Sequence, residues 1–319
     1  MNSQSLTLPS FAKVNWRLRV LGKRADGYHE VATTLQTISL EDKLEFELTH
    51  DGIIRLTCDH PDIPTDDRNL VVRAANALKQ RYHVTAGARI HLQKRIPTQA
   101  GLGGGSSNAA ISLLALTHVW GIPQLKENLL AIARELGADV PFFLWGGCAR
   151  GTGTGATISP CESDEQSLQH HLLVITPKAT VSTANAYASL NLPALTTLVD
   201  DPILSSSPNV ANLNNLRPWP MDNGPLDDLQ NDFEAVIFDI EPEIRRAKDA
   251  LTCSGALGAL LAGSGSSVFG IFEDREAQER ALRRIEAESG WRIFPCVTLS
   301  RDDYRRQIGP ELFHFFEQG

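Results

Sequence analysis

The chain has 319 residues, 42% of them apolar, which is enough for two domains that each bury a core. Its 30 basic and 38 acidic residues give a net charge of −8, which excludes the basic surface field that holds nucleic acid. No run of about 18 apolar residues predicts a membrane span, and no basic-then-apolar leader opens the chain. We therefore expect a protein of the cytoplasm that binds neither nucleic acid nor membrane.

Alternating apolar residues predict half-buried strands in the first quarter of the chain, at 44–48 and 54–56. Between the N-terminus and these strands, Asp26-Gly27 predicts a turn. His29 follows that turn, and taken alone it is typical of a surface loop.

Asn69 opens a segment of helical periodicity, and one face of that helix carries Val71, Ala74, Ala75, Leu78 and Tyr82. Ile90 and Leu92 then alternate as a strand that leads to Lys94. By themselves, Asn69 and Lys94 are equally consistent with solvated surface residues.

A glycine-rich turn that enters a helix is the most informative stretch of the chain. Glycines stand at 101, 103, 104 and 105, and Ser106 or Ser107 can cap the helix that follows. The buried face of this helix is predicted from Ala109, Leu113, Leu116 and Trp120. Glycines permit positive φ and close backbone approach, and a helix N-terminus presents unpaired N–H groups to an anion. We predict a cradle for nucleotide phosphate.

Other interpretations of this stretch are weaker. A flexible Gly-Ser linker would not run directly into a helix. A Walker A loop needs a lysine between the glycines and the hydroxyl residue, and none is present. The dinucleotide fingerprint needs a third glycine where Ser106 stands. It also needs an acidic residue on a following strand, and none is present.

A second helix is predicted from Gln124 to Leu136, with an apolar face of Leu125, Leu129, Ile132 and Leu136. Gly137 is predicted to end it with a left-handed φ. Asp139 follows among apolar neighbours. The sequence alone leaves open whether it is a turn residue or a general base tuned by partial desolvation.

Two further glycine runs, at 146–147 and 151–155, favour a turn between strands over a second phosphate loop, because no helix follows. The polar stretch 160–169 places a domain boundary near residue 158. The second half is predicted as a strand at 172–176, a proline-rich loop at 191–224, a helix at 228–251, a strand at 256–262 that enters the turn 263–265, a strand at 268–272, a helix containing Ala277, Ala281 and Ile285, and an amphipathic tail from Arg301.

The five cysteines, Cys58, Cys148, Cys161, Cys253 and Cys296, are odd in number and form no CxxC pair. A disulfide framework or structural zinc site is therefore not expected. Buried thiols in a reducing compartment are the expectation, with no chemistry assigned to them.

Four segments, in family order, resemble the signatures of the GHMP kinases, named for galactokinase, homoserine kinase, mevalonate kinase and phosphomevalonate kinase. They are Phe11 to Asn15, Arg24 to His29, Pro97 to Ala110 and Leu261 to Phe269. The segment ending at His29 is similar to that of the branch acting on cytidine diphosphate-linked methylerythritol in the non-mevalonate isoprenoid pathway. Phe11 departs from the proline usual in the family, and Gln99-Ala100 from the smaller residues usual in its loop.

The resemblance implies an α+β fold of two domains with the active site in the cleft between them. Residues 1–158 would form a ribosomal-protein-S5-like ATP-binding domain, and 159–319 a ferredoxin-like domain that contributes to acceptor binding. The implied cofactors are ATP and Mg²⁺, and the implied substrate is the cytidine diphosphate-linked alcohol, phosphorylated on its 2-hydroxyl by a monomer or homodimer.

The resemblance also implies site residues. Lys13 and Asp139 would be catalytic, with Asp139 as general base. Phosphate contacts would come from Gly101, Leu102, Gly103, Gly104, Gly105, Ser106 and Ser107. Asn69 and Lys94 would lie near the adenine. The acceptor would be held by Asn15, Tyr28, His29 and Tyr187, although a core tyrosine is an equal interpretation of Tyr187.

Two alternatives stay open. The chain could be another GHMP small-molecule kinase of the homoserine or mevalonate type, or a catalytically inactive nucleotide-binding regulator of the same fold. The presence of both Lys13 and Asp139 argues against the regulator.

Overall fold

The chain has a mixed α+β fold. Its structure is a computed structural model that describes residues 5–123, 125–161, 169–195, 226, 229–285 and 290–316. The strands are β1 (Ser5–Lys23), β2 (His29–Thr49), β3 (Ile54–Cys58), β4 (Gly87–Gln93), β5 (Cys148–Thr152), β6 (Thr157–Pro160), β7 (His171–Thr176), β8 (Gln230–Asn231), β9 (Gly258–Leu261), β10 (Val268–Phe272) and β11 (Arg292–Val297). The helices are α1 (Leu70–Tyr82), α2 (Gly104–Val119), α3 (Lys126–Leu136), α4 (Val140–Trp145), α5 (Thr183–Ser189), α6 (Glu234–Ile240), α7 (Pro242–Cys253), α8 (Arg275–Ile285), α9 (Arg301–Ile308) and a 3₁₀ helix (Pro310–Phe316).

The larger sheet is organised around the long antiparallel pair β1 and β2. Its order is β3-β4-β2-β1-β8, and β5 pairs with both β2 and β6. The pairing of β1 with β2 shifts register at Phe11/Ala12, Asn15/Arg17 and Val20/Gly22. Such irregularities bend a strand and re-aim its side chains. Lys13 and Asn15 lie between the first two shifts, in a segment that the sheet turns toward the phosphate loop.

Helix α2 crosses the first domain and is buried on nearly its whole circumference. Within it, the residues outside the buried set are Gly105, Ser106 and His118. The prediction of a single buried face is therefore wrong, because α2 packs at once against β1, β2, α1 and α4. A helix that is apolar all round is typical of such a central position.

The smaller sheet has the antiparallel order β11-β7-β10-β9. It shares a core with the larger sheet, in which Val14 and Trp16 of β1 join Val174 of β7 and Phe269 of β10. The Trp16 and Phe269 rings meet edge to face, 5.6 Å apart. The two sheets therefore position each other through direct packing.

Within the helix predicted over 228–251, the structure has the short strand β8 and then two helices, α6 and α7. They are divided at Glu241, whose φ of −132° and ψ of 82° lie outside the helical region. Pro242 is the cause, since proline disfavours the helical conformation in the residue before it. Residue 228 and most of the predicted loop 191–224 fall outside the described residues.

Helix α3 corrects two further predictions. It begins at Lys126, and Leu125 stands at its N-cap with 54% exposure, so Leu125 is not on the buried face. Gly137 has a φ of 168°, which is extended rather than left-handed. The chain continues from Gly137 straight toward α4, whereas a left-handed residue would fold it back over the helix end.

The C-terminal tail returns to the first domain. Tyr304, Ile308, Leu312 and Phe313 are buried in the cluster that includes α2. Tyr304 donates a hydrogen bond to the carbonyl of Phe143, and its ring lies 5.7 Å from that of Phe11, the residue that replaces the family's proline. The division at residue 158 remains a prediction, and the tail that it assigns to the second domain packs with the first.

Among the described residues, no helix has both the length and the apolar character that crossing a membrane requires. Other predicted elements agree with the structure: the strands of the first quarter, α1, the strands β4, β7, β9 and β10, the turn between β5 and β6, and α8. The glycines at 146–147, also predicted as a turn between strands, instead join α4 to β5.

Candidate active site

The predicted phosphate loop, residues 101–107, takes its shape from two glycines in left-handed conformation. Gly101 has a φ of 75° and Gly103 a φ of 70°, and Gly103 is the N-cap of α2. Gly104 and Gly105 are already helical. The prediction that Ser106 or Ser107 caps the helix is wrong, because both lie inside its first turn.

The serines of this turn have different environments. Ser107 is fully buried, and its hydroxyl oxygen accepts a hydrogen bond of 2.8 Å from Ser10. Ser106 is partly exposed and lines the cleft described below. Ser107 therefore anchors the helix to β1, while Ser106 is available to a ligand.

The loop touches a second glycine turn, from the other domain. A Cβ on Gly101 would lie 1.8 Å from the carbonyl oxygen of Ala262, and a Cβ on Gly263 would lie 3.0 Å from the carbonyl oxygen of Gly101. The amide of Ser267 donates to the carbonyl of Ala100 at 3.2 Å. The backbones meet so closely that a side chain at Gly101 is excluded.

A buried carboxylate, Asp42, fixes the entry to the loop. It is fully buried and accepts hydrogen bonds from the amides of Arg95 and Ile96, both 2.7 Å, and from Asn108 at 3.0 Å. The ammonium of Lys94 lies 2.9 Å from it and also donates to the carbonyl of Ile96. Burial lowers the pKa of Lys94, and Asp42 opposes that shift.

The two residues predicted near the adenine both have structural partners. Lys94 is paired with Asp42, as above. Asn69 is the N-cap of α1, where its side chain accepts from the amide of Val71 at 2.9 Å and donates to the carbonyl of Pro64 at 2.8 Å. Their contact with adenine remains a prediction.

The predicted catalytic residues lie side by side. The Nζ atom of Lys13 is 3.6 Å from Oδ2 of Asp139. Lys13 is buried, whereas the Asp139 side chain is 37% exposed, at the N-cap of α4 without a capping hydrogen bond. A carboxylate without a capping bond remains available to a ligand.

Lys13 is held in place by a relay of side chains on the larger sheet. It donates to Oδ1 of Asn15 at 2.8 Å, and Asn15 donates to Thr33 at 2.8 Å. Thr33 in turn donates to the carbonyl of Arg17 at 2.7 Å. The backbone amide of Lys13 also donates to the carbonyl of Leu102, at 3.0 Å, so the lysine is tied directly to the phosphate loop.

The residues predicted to hold the acceptor form an aromatic group. The His29 and Tyr187 rings are stacked, 4.6 Å apart at 22°, and Tyr187 meets Phe233 edge to face at 4.9 Å. Burial, assisted by Asp139, raises the pKa of Tyr187 to about 12. Burial and the charge of Lys23 lower the pKa of His29. Tyr28 is 66% exposed.

One cleft of about 1380 Å³ connects these groups. The predicted site residues that line it are Lys13, Asn15, Tyr28, His29, Gly101, Gly103, Ser106, Asp139 and Tyr187. Those outside its lining are Asn69, Lys94, Leu102, Gly104, Gly105 and Ser107. Sequence reasoning missed the lining residues Lys23, Thr33, Arg134 and Phe233.

Comparison with known proteins agrees with the sequence resemblance. The profile of the GHMP kinases N terminal domain matches residues 69–147, and that of the GHMP kinases C terminal domain matches residues 216–290. A 4-diphosphocytidyl-2-C-methyl-D-erythritol kinase of Prosthecochloris aestuarii (strain DSM 271 / SK 413) is 39% identical, over 92% of this chain and 98% of that protein. One of Pseudomonas syringae pv. syringae (strain B728a) is 37% identical, over 91% and 94%.

Solved structures give the same result. The crystal structure of a 4-(cytidine 5'-diphospho)-2C-methyl-D-erythritol kinase has a TM-score of 0.71 and 32% identity, covering 92% of this chain and 99% of that one. A homoserine kinase from Cytophaga hutchinsonii has a TM-score of 0.65 at 18% identity, covering 94% and 96%, and this shows the fold alone.

The chain therefore belongs to the GHMP kinases, and within them to the family of the 4-diphosphocytidyl-2-C-methyl-D-erythritol kinases. The predicted fold class and family resemblance are confirmed.

Proposed function

We propose that this chain uses ATP to phosphorylate the 2-hydroxyl of 4-diphosphocytidyl-2-C-methyl-D-erythritol in the non-mevalonate isoprenoid precursor pathway. The observation that carries the proposal is the single cleft in which the phosphate loop, the Lys13–Asp139 pair and the His29–Tyr187 stack lie in that order. Relatives that this chain matches over most of their length are named for the same kinase, which supports the same reaction.

The nucleotide end is built mainly from backbone. The first N–H groups of α2 lack partners within the helix and point, with the positive end of its dipole, toward the loop. In our proposal they bind the β- and γ-phosphates of ATP. The left-handed Gly101 and Gly103 let the chain approach the phosphates without interference from side chains.

The phosphoryl group is transferred beside Asp139. Its carboxylate accepts the proton of the 2-hydroxyl, whose oxygen forms a bond to the γ-phosphorus while the bond from that phosphorus to the bridging oxygen breaks and ADP leaves. Lys13, 3.6 Å from Asp139, offsets negative charge on the transferred group. Asn15 positions Lys13 through their hydrogen bond.

The acceptor end is built from side chains. The face of the His29–Tyr187 pair offers a surface on which the cytosine ring stacks. Tyr28, exposed at the same end of the cleft, is a second aromatic contact for the base. Lys23 and Arg134 line the cleft as well and supply positive charge for the diphosphate of the acceptor.

Mg²⁺ is part of the proposal, and its fit depends on the oxygen donors in the cleft. Among the described residues, no group of three or more His, Cys, Asp or Glu side chains is placed to hold a metal. Mg²⁺ bound chiefly through substrate phosphates needs only one or two protein oxygens. The Ser106 hydroxyl lines the cleft and would supply such an oxygen. When bound, Mg²⁺ neutralises phosphate charge.

The test is ADP formation by the purified protein with three acceptors: the cytidine diphosphate compound, mevalonate and homoserine. We expect turnover with the cytidine compound and a new phosphate on its 2-hydroxyl by ³¹P NMR. Turnover with mevalonate or homoserine alone would identify a different GHMP kinase. ATP binding without turnover of any acceptor would indicate an inactive regulator.

The other predictions about context belong to the same proposal. We place the enzyme in the cytoplasm, where ATP is available, as a monomer or homodimer with a small-molecule substrate and without nucleic acid. Gel filtration with light scattering measures the oligomeric state.

A further inference from the structure

We propose that Cys148 and Cys161 form a redox site that a peroxide oxidises to an intramolecular disulfide, restraining the hairpin of β5 and β6. Their sulfur atoms lie 3.2 Å apart and both residues are buried. All five cysteines of the chain are thiols in the structure, and among the described residues this pair is the one in which two sulfurs meet.

The backbone places the two residues directly opposite each other. The antiparallel register of β5 and β6 pairs Ala149 with Pro160, and one step further it brings Cys148 across from Cys161. The amide of Cys161 donates to the carbonyl of Cys148 at 3.1 Å. Residues opposed in antiparallel strands have Cα atoms about 4.5–5.5 Å apart, within the range of about 4.4–6.8 Å that a disulfide spans. The bond can therefore form without moving the strands apart.

A guanidinium holds the backbone carbonyls of both cysteines. The guanidinium of Arg301 donates to the carbonyl of Cys161 at 3.1 Å and reaches that of Cys148 at 3.4 Å. The thiolate is the species that reacts with a peroxide. Burial of both residues restricts access, so a small oxidant such as hydrogen peroxide is the reagent that fits.

The chemistry balances with one peroxide. The thiolate of Cys161, the slightly more exposed of the pair at 5%, attacks a peroxide oxygen to give a sulfenic acid and hydroxide. The thiol of Cys148 then attacks that sulfur, and the S–OH bond breaks. In sum two thiols lose two electrons, and the peroxide gains them to become two waters. In a reducing compartment such a disulfide is transient and serves sensing rather than structure.

The hairpin that would be restrained reaches the cleft. Its tip, Thr154 to Ala156, lines the acceptor end. The amide of Gly153 donates to Glu30 at 3.1 Å, and the carbonyl of Gly153 accepts from Val31 at 2.7 Å, so the tip is tied to the strand that begins at His29. If the proposed function holds, oxidation changes the acceptor KM and leaves the ATP KM unchanged.

The experiment treats the full-length reduced protein with a few equivalents of hydrogen peroxide, blocks remaining thiols, and maps disulfides by peptide mass spectrometry. We expect a linked peptide pair containing Cys148 and Cys161 that dithiothreitol separates. The melting temperature should rise by a few degrees on oxidation, because the bond closes a loop in the unfolded chain. Amide exchange at the hairpin tip should slow.

Two variants serve as controls. C253S removes the exposed cysteine of α7 and should form the linked pair as the parent does. C161A should lose the linked pair and the rise in melting temperature. Oxidation confined to Cys253, with Cys148 and Cys161 recovered as thiols, would overturn the proposal even if C161A fails to fold. These readouts need no substrate, so they succeed or fail independently of the proposed kinase activity.

Discussion

The two ends of the cleft differ in what forms their surface, which is backbone at one end and side chains at the other. At the phosphate loop, ligand contacts are expected from backbone, and glycines at 101 and 263 bring two turns into contact where no side chain fits. At the proposed acceptor end, side chains on three separate segments provide the surface: His29, Tyr187 and Phe233. The phosphate loop requires glycines, because side chains do not fit there, whereas the proposed acceptor end requires particular aromatic side chains. Between them, the Lys13–Asp139 pair belongs to neither binding surface alone.

The largest effect is expected where the two ends meet. Asp139→Asn keeps the shape of the side chain and removes the proton acceptor, so kcat should fall by about 10²–10⁴-fold, the usual contribution of a positioned general base. The melting temperature and ATP affinity should stay close to those of the parent, because the loop is held by other residues. Turnover at the parent rate in a folded variant would remove Asp139 from the mechanism.

A smaller but still large effect is expected at the backbone-built end. Gly101→Ala places a methyl group against the Ala262 carbonyl at a positive φ, a strain of about 1–3 kcal/mol. ATP binding by calorimetry should weaken by about 5–150-fold, the equivalent of that free energy.

Gly105→Ala is the matched control for folding, because its Cβ would meet only Leu70, at 3.9 Å. Alanine is the better helix former, so the melting temperature of this variant should equal or exceed that of the parent. Equal losses of stability in both variants would show that the contact at Gly101 does not set the loop's geometry.

At the acceptor end, His29→Ala removes one ring of the stack. An aromatic pair contributes about 0.5–1.5 kcal/mol, so the acceptor KM should rise by about 2- to 10-fold. Tyr187→Phe keeps the stacking ring and should leave the acceptor KM near that of the parent. If Tyr187→Phe raises that KM as much as His29→Ala does, the hydroxyl and not the ring face is the binding group.

The smallest effect concerns protonation of His29. Burial and Lys23 lower its pKa in the folded protein, so the unfolded chain binds the proton more readily. The stability that His29 contributes is present above its unfolded pKa of about 6.5 and is lost as pH falls through the lower folded pKa. NMR titration should give a value below 6.5 for His29, and Lys23→Ala should raise it. An unchanged pKa in Lys23→Ala would contradict the role of that charge.

Local sequence predicted much of the phosphate loop and less of the proposed acceptor end. The glycine spacing predicted the turn at 101–103 and the helix after it, and the family resemblance pointed to Lys13 and Asp139, which the structure places 3.6 Å apart. Asp42 was missed because its partners Lys94 and Asn108 are distant in the chain, and an aspartate between Glu41 and Lys43 carries no signal of burial.

The features that local sequence did not predict share a physical cause, which is contact between distant segments. The close contact of Gly101 with Ala262, the stack of His29 on Tyr187 and the return of Tyr304 to the first core all join distant segments. Periodicity reports only which face a segment buries, so it could not show that α2 is buried all round. For the same reason, Gly137 was assigned a common helix ending, although the direction of α4 requires an extended one.

The most direct test of the central claim measures both Michaelis constants, for ATP and for the cytidine diphosphate acceptor, in the Gly101→Ala and His29→Ala variants and the parent. The account predicts a crossed pattern, in which Gly101→Ala raises the KM for ATP alone and His29→Ala raises the KM for the acceptor alone. A rise of both constants in both variants would contradict the division of the cleft into a backbone-built nucleotide end and a side-chain-built acceptor end.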